Sequence, residues 1–258
     1  MKLAVLGDPV AHSLSPALHH AALQSVGVRG SYEARRVDRS GVEQAVEELR
    51  RGDLDGANVT MPHKSLAATL ADRLAATAAR AGAVNTLVRV GSEVVGHNTD
   101  VAGIHHAVVS RTLPDAPVLV LGAGGAAAAA LLAFEGRPLA ISARRPERAV
   151  ALVEHTGVAA EIVPWGENRP GFLLVNATSI GMERDLLPLD VVVHSGLLDM
   201  PYASGPTPAA ATMREAGRTV ADGPDMLLGQ AVAAFRLWTG MQPDESAMRL
   251  AMEQAASA

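Results

Sequence analysis

Residues 118–132 combine a strand, a glycine turn and an alanine-rich helix, and no other stretch constrains the fold as strongly. Four consecutive apolar residues, Val118–Leu121, predict a strand buried on both faces, as the strands of parallel sheets are. Gly122 and Gly124 follow, and Ala127 stands where a third glycine is usual. Between a strand and a helix this spacing is typical of a dinucleotide site, because the glycines let a pyrophosphate approach the free N–H groups of the helix start. A glycine turn that only leads into a well-packed helix is the alternative interpretation.

The next predicted strand, residues 138–141, indicates which dinucleotide is bound. At this distance from the glycine turn, an acidic residue is typical of NAD sites, whereas an arginine accommodates the 2′-phosphate of NADP. Arg144, Arg145 and Arg148 follow the strand, and no carboxylate occupies its tip. Guanidinium groups bind phosphate through paired hydrogen bonds, so NADP is favoured over NAD. A solvated basic turn at the start of a helix is the alternative interpretation.

The composition narrows the class of protein. A chain of 258 residues, 48% of them hydrophobic, is long enough for one large domain or two moderate ones. The formal net charge is −5 and there is no long basic run, so we expect no nucleic-acid partner. The chain has no cysteine and no apolar run of membrane-spanning length, and we expect no metal site and no membrane partner. These observations favour a cytoplasmic protein that acts on a small molecule.

The order of predicted elements indicates an α/β fold with two domains. From residue 117 onward the pattern predicts strict strand–helix alternation, which is typical of a doubly wound, Rossmann-type parallel sheet. Residues 1–101 predict a separate α/β region, and the chain after Gly223 is predicted to be helical. Because this terminal segment has no sheet of its own, we expect it to pack on the first region. The prediction is a discontinuous substrate-binding domain, residues 1–101 and 224–258, into which a dinucleotide-binding domain, residues 102–223, is inserted, with the active site in the cleft.

Two hydroxyl residues precede the first predicted helix. Ser13 and Ser15 lie two positions apart, just before Pro16, which is a favourable first residue of a helix. Together with the free N–H groups of the helix start, the two hydroxyls can hold a carboxylate. The alternative is that Ser15 is only the N-cap of the helix and Ser13 a loop residue.

Lys64 has an electrostatically unfavourable place. A helix predicted to begin at Pro62 and to run to about Ala76 puts Lys64 in its first turn, where the helix dipole disfavours a cation. An ammonium group held there is a readier proton donor, which suits a general acid–base group. An ordinary surface lysine is the alternative.

Two further polar residues open predicted elements. Asn85 begins an otherwise apolar strand, so it needs buried partners or a ligand. Asp100 precedes a helix and is either its N-cap or a carboxylate partner of Lys64.

These clusters, in this order, resemble the shikimate dehydrogenase family, including its quinate/shikimate relatives. The resemblance covers nearly the whole chain, and the motifs have the spacing of the family. They comprise residues 7–9, 12–16, 58–64, 82–86, 98–100, 122–126, 176–182 and 223–240.

The resemblance implies an NADP-dependent oxidoreductase that reversibly reduces 3-dehydroshikimate to shikimate, a step toward chorismate and the aromatic amino acids. It implies that Lys64 and Asp100 are catalytic and flank the reacting hydroxyl. The implied substrate contacts, of which the first two and the tyrosine are near the carboxylate, are Ser13, Ser15, Thr60, Asn85, Asp100, Tyr202 and Gln230. The implied cofactor contacts, of which the last two are on the nicotinamide side, are Gly122, Ala123, Gly124, Gly125, Ala126, Ala143, Arg144, Arg145, Arg148, Met200 and Gly223.

The chain departs from the family pattern at a few positions. Ala143 stands where an asparagine usually opens the phosphate-binding turn, His20 where an asparagine usually follows His19, and Pro201 where an apolar residue is typical. Two alternatives stay open: a quinate/shikimate dehydrogenase that uses NAD, and a ligand-binding regulator that keeps the fold without catalysis. A monomer or a homodimer is expected.

Overall fold

The computed structural model of the chain describes residues 1–202 and 205–257. The chain divides into two compact units, Met1–Thr99 with Gln230–Ala258 and Asp100–Gly229. The first unit is therefore discontinuous in sequence. The sequence predicts that the substrate-binding and dinucleotide-binding domains divide at 101/102 and 223/224, and this functional division stays a prediction.

Helices and strands alternate along both units. The strands are β1 (Lys2–Gly7), β2 (Ser31–Arg36), β3 (Gly56–Val59), β4 (Arg73–Leu74), β5 (Thr86–Val90), β6 (Glu93–His97), β7 (Val118–Leu121), β8 (Leu139–Ser142), β9 (Glu161–Val163), β10 (Leu173–Asn176), β11 (Gly196–Asp199) and β12 (Thr219–Asp222). The helices are α1 (Ser15–Ser25), α2 (Arg39–Arg51), α3 (Lys64–Leu70), α4 (Ala76–Ala81), α5 (Asp100–Ser110), α6 (Gly125–Ala133), α7 (Pro146–Thr156), α8 (Pro208–Glu215), α9 (Gly223–Thr239) and α10 (Glu245–Ala256). None of the helices in the described residues is both long enough and apolar enough to cross a membrane.

The sheet of the first unit is mixed, with the strand order β2-β1-β3-β5-β6-β4. Strands β2, β1 and β3 run parallel, and β5 runs antiparallel to both β3 and β6. Helix α2 packs on the sheet through fully buried side chains, such as Leu49 against a cluster that includes Leu6 and Leu87. The mixed order brings the end of β3 next to the start of β5, and both ends carry polar residues.

The sheet of the second unit is parallel throughout, in the order β12-β11-β10-β7-β8-β9. Counted from β7, this is the order 3-2-1-4-5-6 of doubly wound dinucleotide-binding sheets, so the predicted α/β fold with a Rossmann-type domain is confirmed. All four residues of β7 are fully buried, which explains why the strand shows no polar alternation. The winding of the sheet reverses between β7 and β10, and such sheets bind ligands beyond the carboxyl ends of these strands.

The prediction of strict strand–helix alternation is wrong between β9 and β11. Within that described segment, only Val191–Val193 is helical, as a single 3-10 turn. Pro164, Pro170 and Pro188 interrupt the segment, and Gly166 adopts a positive φ. Proline lacks the N–H that a helix interior requires, and glycine in this conformation ends a helix, so an α-helix does not propagate here.

The single helix predicted to follow Pro62 is interrupted. Helix α3 already ends at Leu70, and β4 and α4 come next. The backbone N–H of Asp72 donates to the carbonyl oxygen of Val94 at 2.9 Å, and β4 pairs with β6. Pairing with the sheet edge uses the backbone groups that a continuous helix would need, so tertiary structure overrides the local helical pattern.

Candidate active site

The glycine turn lies between β7 and α6, at the point where the winding of the sheet reverses. Gly122 has φ +114°, and a Cβ there would lie 2.8 Å from the carbonyl oxygen of Ala177, on the loop after β10. The position therefore requires glycine for both backbone conformation and space. Gly124 is the N-cap of α6, and among the described atoms none lies within 4 Å of the Cβ that it lacks. The start of α6 thus presents free N–H groups beside open space, as a pyrophosphate requires.

Three exposed arginines follow the neighbouring strand β8. Arg144 precedes α7, Arg145 is its N-cap residue and Arg148 lies in its first turn. Ala143 is buried in the core of the unit, so it offers a ligand only its backbone. The ion pairs that the described residues of this unit form involve other arginines, namely Arg111, Arg137, Arg169 and Arg214. The turn is therefore a cationic surface free to bind a phosphate group.

The glycine turn and the arginine turn are tied together. The N–H of Gly122 donates to the carbonyl oxygen of Ser142, the last residue of β8, at 2.9 Å. The Ser142 hydroxyl in turn donates to the carbonyl oxygen of Pro164 at 2.8 Å. The carboxyl ends of β7 and β8 are thus held in one arrangement. The other predicted members of the glycine turn, all half-buried, are Ala123, Gly125 and Ala126.

Three further predicted residues meet at the carboxyl ends of β11 and β12. A Cβ on Gly223 would lie 2.8 Å from the carbonyl oxygen of Met200 and 2.8 Å from the Cβ of Tyr202. Glycine is therefore needed for the close approach at the start of α9. Burial raises the pKa of the Tyr202 hydroxyl, so this side chain offers a neutral O–H group at physiological pH.

In the first unit, the start of β5 carries a buried cluster of amide and hydroxyl side chains. Asn85 is its centre, and its Oδ1 accepts hydrogen bonds from the backbone N–H of Thr99 at 2.8 Å and from the hydroxyl of Thr86 at 3.0 Å. Its Nδ2 donates to Oε1 of Gln230 at 3.2 Å, across 145 residues of sequence. Asn58 donates to the carbonyl oxygen of Asn85 and to the Thr86 hydroxyl, each at 3.1 Å. These five uncharged residues form the amide cluster.

Thr60, the first residue after β3, and Lys64 lie on either side of the turn that leads from β3 into α3, beside the amide cluster. The N–H of Val59 donates to the carbonyl oxygen of Asn85 at 2.8 Å, and that of Val84 donates to the carbonyl oxygen of Lys64 at 2.9 Å. Lys64 is the first residue of α3 and is half-buried. The structure therefore brings Thr60, Lys64 and the amide cluster to the same end of the sheet.

Both predicted serines lie at the start of α1, but Ser15 is not the N-cap that the sequence allows for. Ser15 is the first residue of the helix, and Leu14 takes the N-cap position without a side-chain hydrogen bond. The N–H of Ser15 donates to Oγ of Ser13 at 3.3 Å. A serine hydroxyl can reach the free N–H of the residue two positions later in the chain, so Ser13 closes a turn at the start of α1.

Asp100 is the first residue of α5 and is only 1% exposed. It follows Thr99 directly in the chain, and the backbone of Thr99 is bonded to Asn85. Lys64 belongs to the first compact unit and Asp100 to the second, and their pairing stays a prediction.

Sequence reasoning missed the residues that hold Asn85 in place. Asn58, Thr86 and Thr99 lie within the family motifs, yet the sequence assigns them no role. A signal exists for Thr86, because a hydroxyl at the start of an apolar strand requires a partner. Tyr32 has no such signal: its O–H donates to Oδ1 of Asn58 at 2.7 Å from 26 positions away.

Fold and site together define a class, that of α/β proteins in which a Rossmann-type unit is joined to a second α/β unit that carries a cluster of polar side chains. The described residues hold no group of three or more His, Asp or Glu placed to bind a metal ion. Residues 5–87 match the family model of the shikimate dehydrogenase substrate binding domain, and residues 223–256 match that of the shikimate 5′-dehydrogenase C-terminal domain.

Individual relatives extend the match over the whole chain. The chain is 40% identical to the shikimate dehydrogenase (NADP(+)) of one strain of Thermus thermophilus, over 99% of this chain and 98% of the relative. It is 35% identical to that of an Exiguobacterium species, over 95% of each chain. The crystal structure of shikimate 5-dehydrogenase from another strain of Thermus thermophilus, in complex with NADP(H) and shikimate, matches with a TM-score of 0.91 and 39% identity over 99% of both chains. The chain therefore belongs to the shikimate dehydrogenase family, and the resemblance inferred from the motifs is confirmed.

Proposed function

We propose that this protein is an NADP-dependent shikimate dehydrogenase, which reversibly reduces 3-dehydroshikimate to shikimate on the route to chorismate and the aromatic amino acids. The observation that carries the proposal is the amide cluster beside Lys64. It offers fixed, uncharged donors and acceptors next to a cation, which suits a substrate with several hydroxyl groups and one reducible carbonyl. The solved relative from Thermus thermophilus holds both NADP(H) and shikimate.

Lys64 is the group that supplies the proton. Hydride transfer to a ketone carbon leaves negative charge on the carbonyl oxygen, and a donor within about 3 Å must neutralise it. Of the 22 lysines and arginines in the chain, only Lys2 and Lys64 are lysines. An arginine keeps its proton at physiological pH, whereas an ammonium group can release one. A lysine at the start of α3 is therefore the suitable cation, and Asp100 keeps it charged and oriented.

The substrate is bound by groups of three kinds. The hydroxyls of Ser13 and Ser15, at the positive end of α1, bind the carboxylate. Tyr202 contributes a neutral O–H group, as the family pattern implies. The polar groups for the substrate hydroxyls are Thr60, Asn85, Asp100 and Gln230.

The second unit fits NADP at both ends of the dinucleotide. The glycine turn receives the pyrophosphate, and the arginine turn receives the 2′-phosphate, with Arg144, Arg145 and Arg148 as the cations and the Ala143 backbone beside them. Met200 and Gly223 bind the nicotinamide side. The nicotinamide supplies the hydride when it is bound, and the protein supplies position and electrostatics. The residues of the glycine turn are Gly122, Ala123, Gly124, Gly125 and Ala126.

A spectrophotometric assay at 340 nm that crosses shikimate and quinate with NADP and NAD tests the proposal. We expect the highest kcat/KM for shikimate with NADP. Highest kcat/KM for quinate with NAD identifies the quinate/shikimate alternative. Measurable binding of shikimate and NADP with no absorbance change identifies the non-catalytic regulator.

The cytoplasmic location and the assembly as a monomer or homodimer remain part of the proposal. Light scattering on the purified protein distinguishes the two assemblies, because each chain has a mass of 26.6 kDa.

A further inference from the structure

Asp199 is a fully buried carboxylate outside the proposed catalytic and binding residues. It ends β11 and is 0% exposed. Its Oδ1 accepts a hydrogen bond from Nδ2 of Asn176 at 2.8 Å, and its Oδ2 accepts one from the hydroxyl of Thr207. Two donors therefore satisfy a group whose burial is otherwise unfavourable.

On one side, Asn176 links Asp199 to the loop after β10. The same Nδ2 donates to the carbonyl oxygen of Ile180 at 3.0 Å. The Oδ1 of Asn176 accepts from the hydroxyl of Thr178 at 2.6 Å. This loop begins with Ala177, whose carbonyl oxygen packs against Gly122 of the glycine turn. The Asp199–Asn176 bond thus ties Asp199 to the loop that packs against the glycine turn.

On the other side, Asn176 and Asp199 hold two residues that follow β11, Met200 and Thr207. The N–H of Met200 donates to the carbonyl oxygen of Asn176 at 3.1 Å. The hydroxyl of Thr207 also accepts from the N–H of Ala210 as the N-cap of α8. A Cβ on Gly181 would lie 2.9 Å from the Cβ of Thr207, so the two loops pack directly on each other.

We propose that Asp199 is a positioning residue for the nicotinamide half of the dinucleotide site. The inference rests on the proposed function. The sheet order places β8, with its arginine turn, on one side of β7 and places β10 and β11 on the other. The adenosine phosphate belongs to the β8 side, so the loops that Asp199 fixes belong to the nicotinamide side.

A carboxylate is the group that this position requires. An ionised carboxylate only accepts hydrogen bonds, and both of its neighbours, the Asn176 amide and the Thr207 hydroxyl, donate to it. An asparagine at position 199 would turn its NH₂ group either toward the Asn176 NH₂ group, which cannot accept a hydrogen bond, or toward the Thr207 hydroxyl, which must then accept instead of donate. One of the two loops is therefore held less firmly. Removal of a negative charge by itself strengthens the binding of an anionic dinucleotide, so weaker binding in such a variant reports lost positioning.

The test compares NADP with 2′,5′-ADP, a fragment that contains the adenosine side alone. For Asp199→Asn we expect the KM for NADP to rise about tenfold and kcat to fall about tenfold, while the calorimetric Kd for 2′,5′-ADP stays within about twofold. A parallel loss of affinity for both compounds, or no change in either, overturns the positioning role. Wild-type protein that neither binds 2′,5′-ADP nor oxidises shikimate with NADP refutes the proposed function instead.

Two further variants keep the test decisive if Asp199→Asn does not fold. Thr207→Val removes the donor to Asp199, and Thr207→Ser retains it. We expect the valine variant to show the same selective loss toward NADP and the serine variant to retain wild-type values. Equal behaviour of the two variants overturns the role. Thr156→Val is the matched control, because it removes another buried hydroxyl of the same unit at the distant end of α7 and is expected to leave all three constants unchanged.

Discussion

The amide cluster of the first unit consists of side chains that bond to one another, whereas the glycine and arginine turns of the second unit present backbone N–H groups and exposed guanidinium groups. Asn85 is 3% exposed and Thr86 is fully buried, while the three arginines after β8 lie at the surface. The amide cluster is thus held together by its own hydrogen bonds. The arginines, in contrast, have no carboxylate partner among the described residues, so they are available to a phosphate group.

This difference has energetic consequences. A buried donor or acceptor that loses its partner destabilises the fold by about 1–3 kcal/mol, so we expect changes in the amide cluster to affect both stability and substrate binding. An exposed arginine without an ion pair contributes little to folding. We therefore expect changes in the arginine turn to affect cofactor binding alone, so the two units can be tested separately.

The largest expected effect comes from Lys64→Ala. We expect kcat to fall by about 10² to 10⁴, the range of a general acid–base group, while the KM values for shikimate and NADP change little. Lys64→Arg retains the positive charge but not a releasable proton, and we expect a loss of the same order. The exposed Lys2, the other lysine of the chain, gives the control Lys2→Ala with normal turnover. Near-normal kcat in Lys64→Ala removes Lys64 from the mechanism, and near-normal kcat in Lys64→Arg removes it as the proton donor.

Asn85→Ala is expected to affect stability and substrate binding together. It leaves the N–H of Thr99, the hydroxyl of Thr86 and the amide of Gln230 without their common partner. We expect the free energy of unfolding in urea to fall by about 3 kcal/mol and the KM for shikimate to rise, with the KM for NADP unchanged.

Asn168→Ala is the matched control from the second unit. Asn168 is exposed and accepts one hydrogen bond, from the N–H of Asp190, so we expect a change of about 0.5 kcal/mol or less. Equal destabilisation by the two substitutions contradicts the distinction between the self-bonded amide cluster and an exposed hydrogen bond.

Arg144→Ala tests the arginine turn of the second unit. We expect the KM for NADP to rise about tenfold to a hundredfold through loss of a charge-assisted bond, with no change for NAD or for thermal stability. Because the site is exposed, the difference between wild type and variant should shrink as salt concentration increases. Arg218→Ala, an exposed arginine just before β12, is the control. An equal loss with NADP and NAD counts against the 2′-phosphate assignment.

The two units also differ in how much of their structure the sequence predicts. The second unit is predicted well because its evidence is local: the apolar run of β7, the glycines after it and the buried Ala127 lie within ten residues of one another. The strand order of the first sheet cannot be predicted from local sequence. Strand β5 lies between β3 and β6 because it pairs with β3, a segment distant in the chain. Lys64 was found at the start of a helix as predicted, but the helix is shorter because β4 pairs with β6.

The amide cluster shows most clearly what the sequence can and cannot predict. The need of Asn85 for buried partners is predictable, because a polar residue in an apolar strand must be satisfied. The identity of those partners is not, since Gln230 lies 145 residues away and meets Asn85 only in the folded chain. The same holds for the hydroxyl of Tyr32, which supports the cluster through Asn58.

The smallest expected effect concerns a histidine behind the amide cluster. The ring of His19 stacks on Tyr32 at a centroid distance of 4.3 Å, and Tyr32 donates to Asn58 of the cluster. Burial lowers the pKa of His19 from 6.5 to about 3. The unfolded chain therefore binds a proton below pH 6.5 that the folded chain does not, and stability present above pH 6.5 is lost as the pH falls toward 3.

His19→Phe keeps an aromatic ring for the stack and removes the titration. Between pH 7 and pH 5 we expect wild type to lose about 2 kcal/mol more of its free energy of unfolding than the variant, because about 1.5 pH units lie between 6.5 and 5. Urea unfolding at both pH values measures this. His97 and His194, whose pKa values burial also lowers, are present in both proteins, so their contributions cancel. His155→Gln, at an exposed position in the last turn of α7, should retain the wild-type dependence on pH. If His19→Phe also retains the wild-type dependence on pH, then His19 does not cause the loss of stability at low pH.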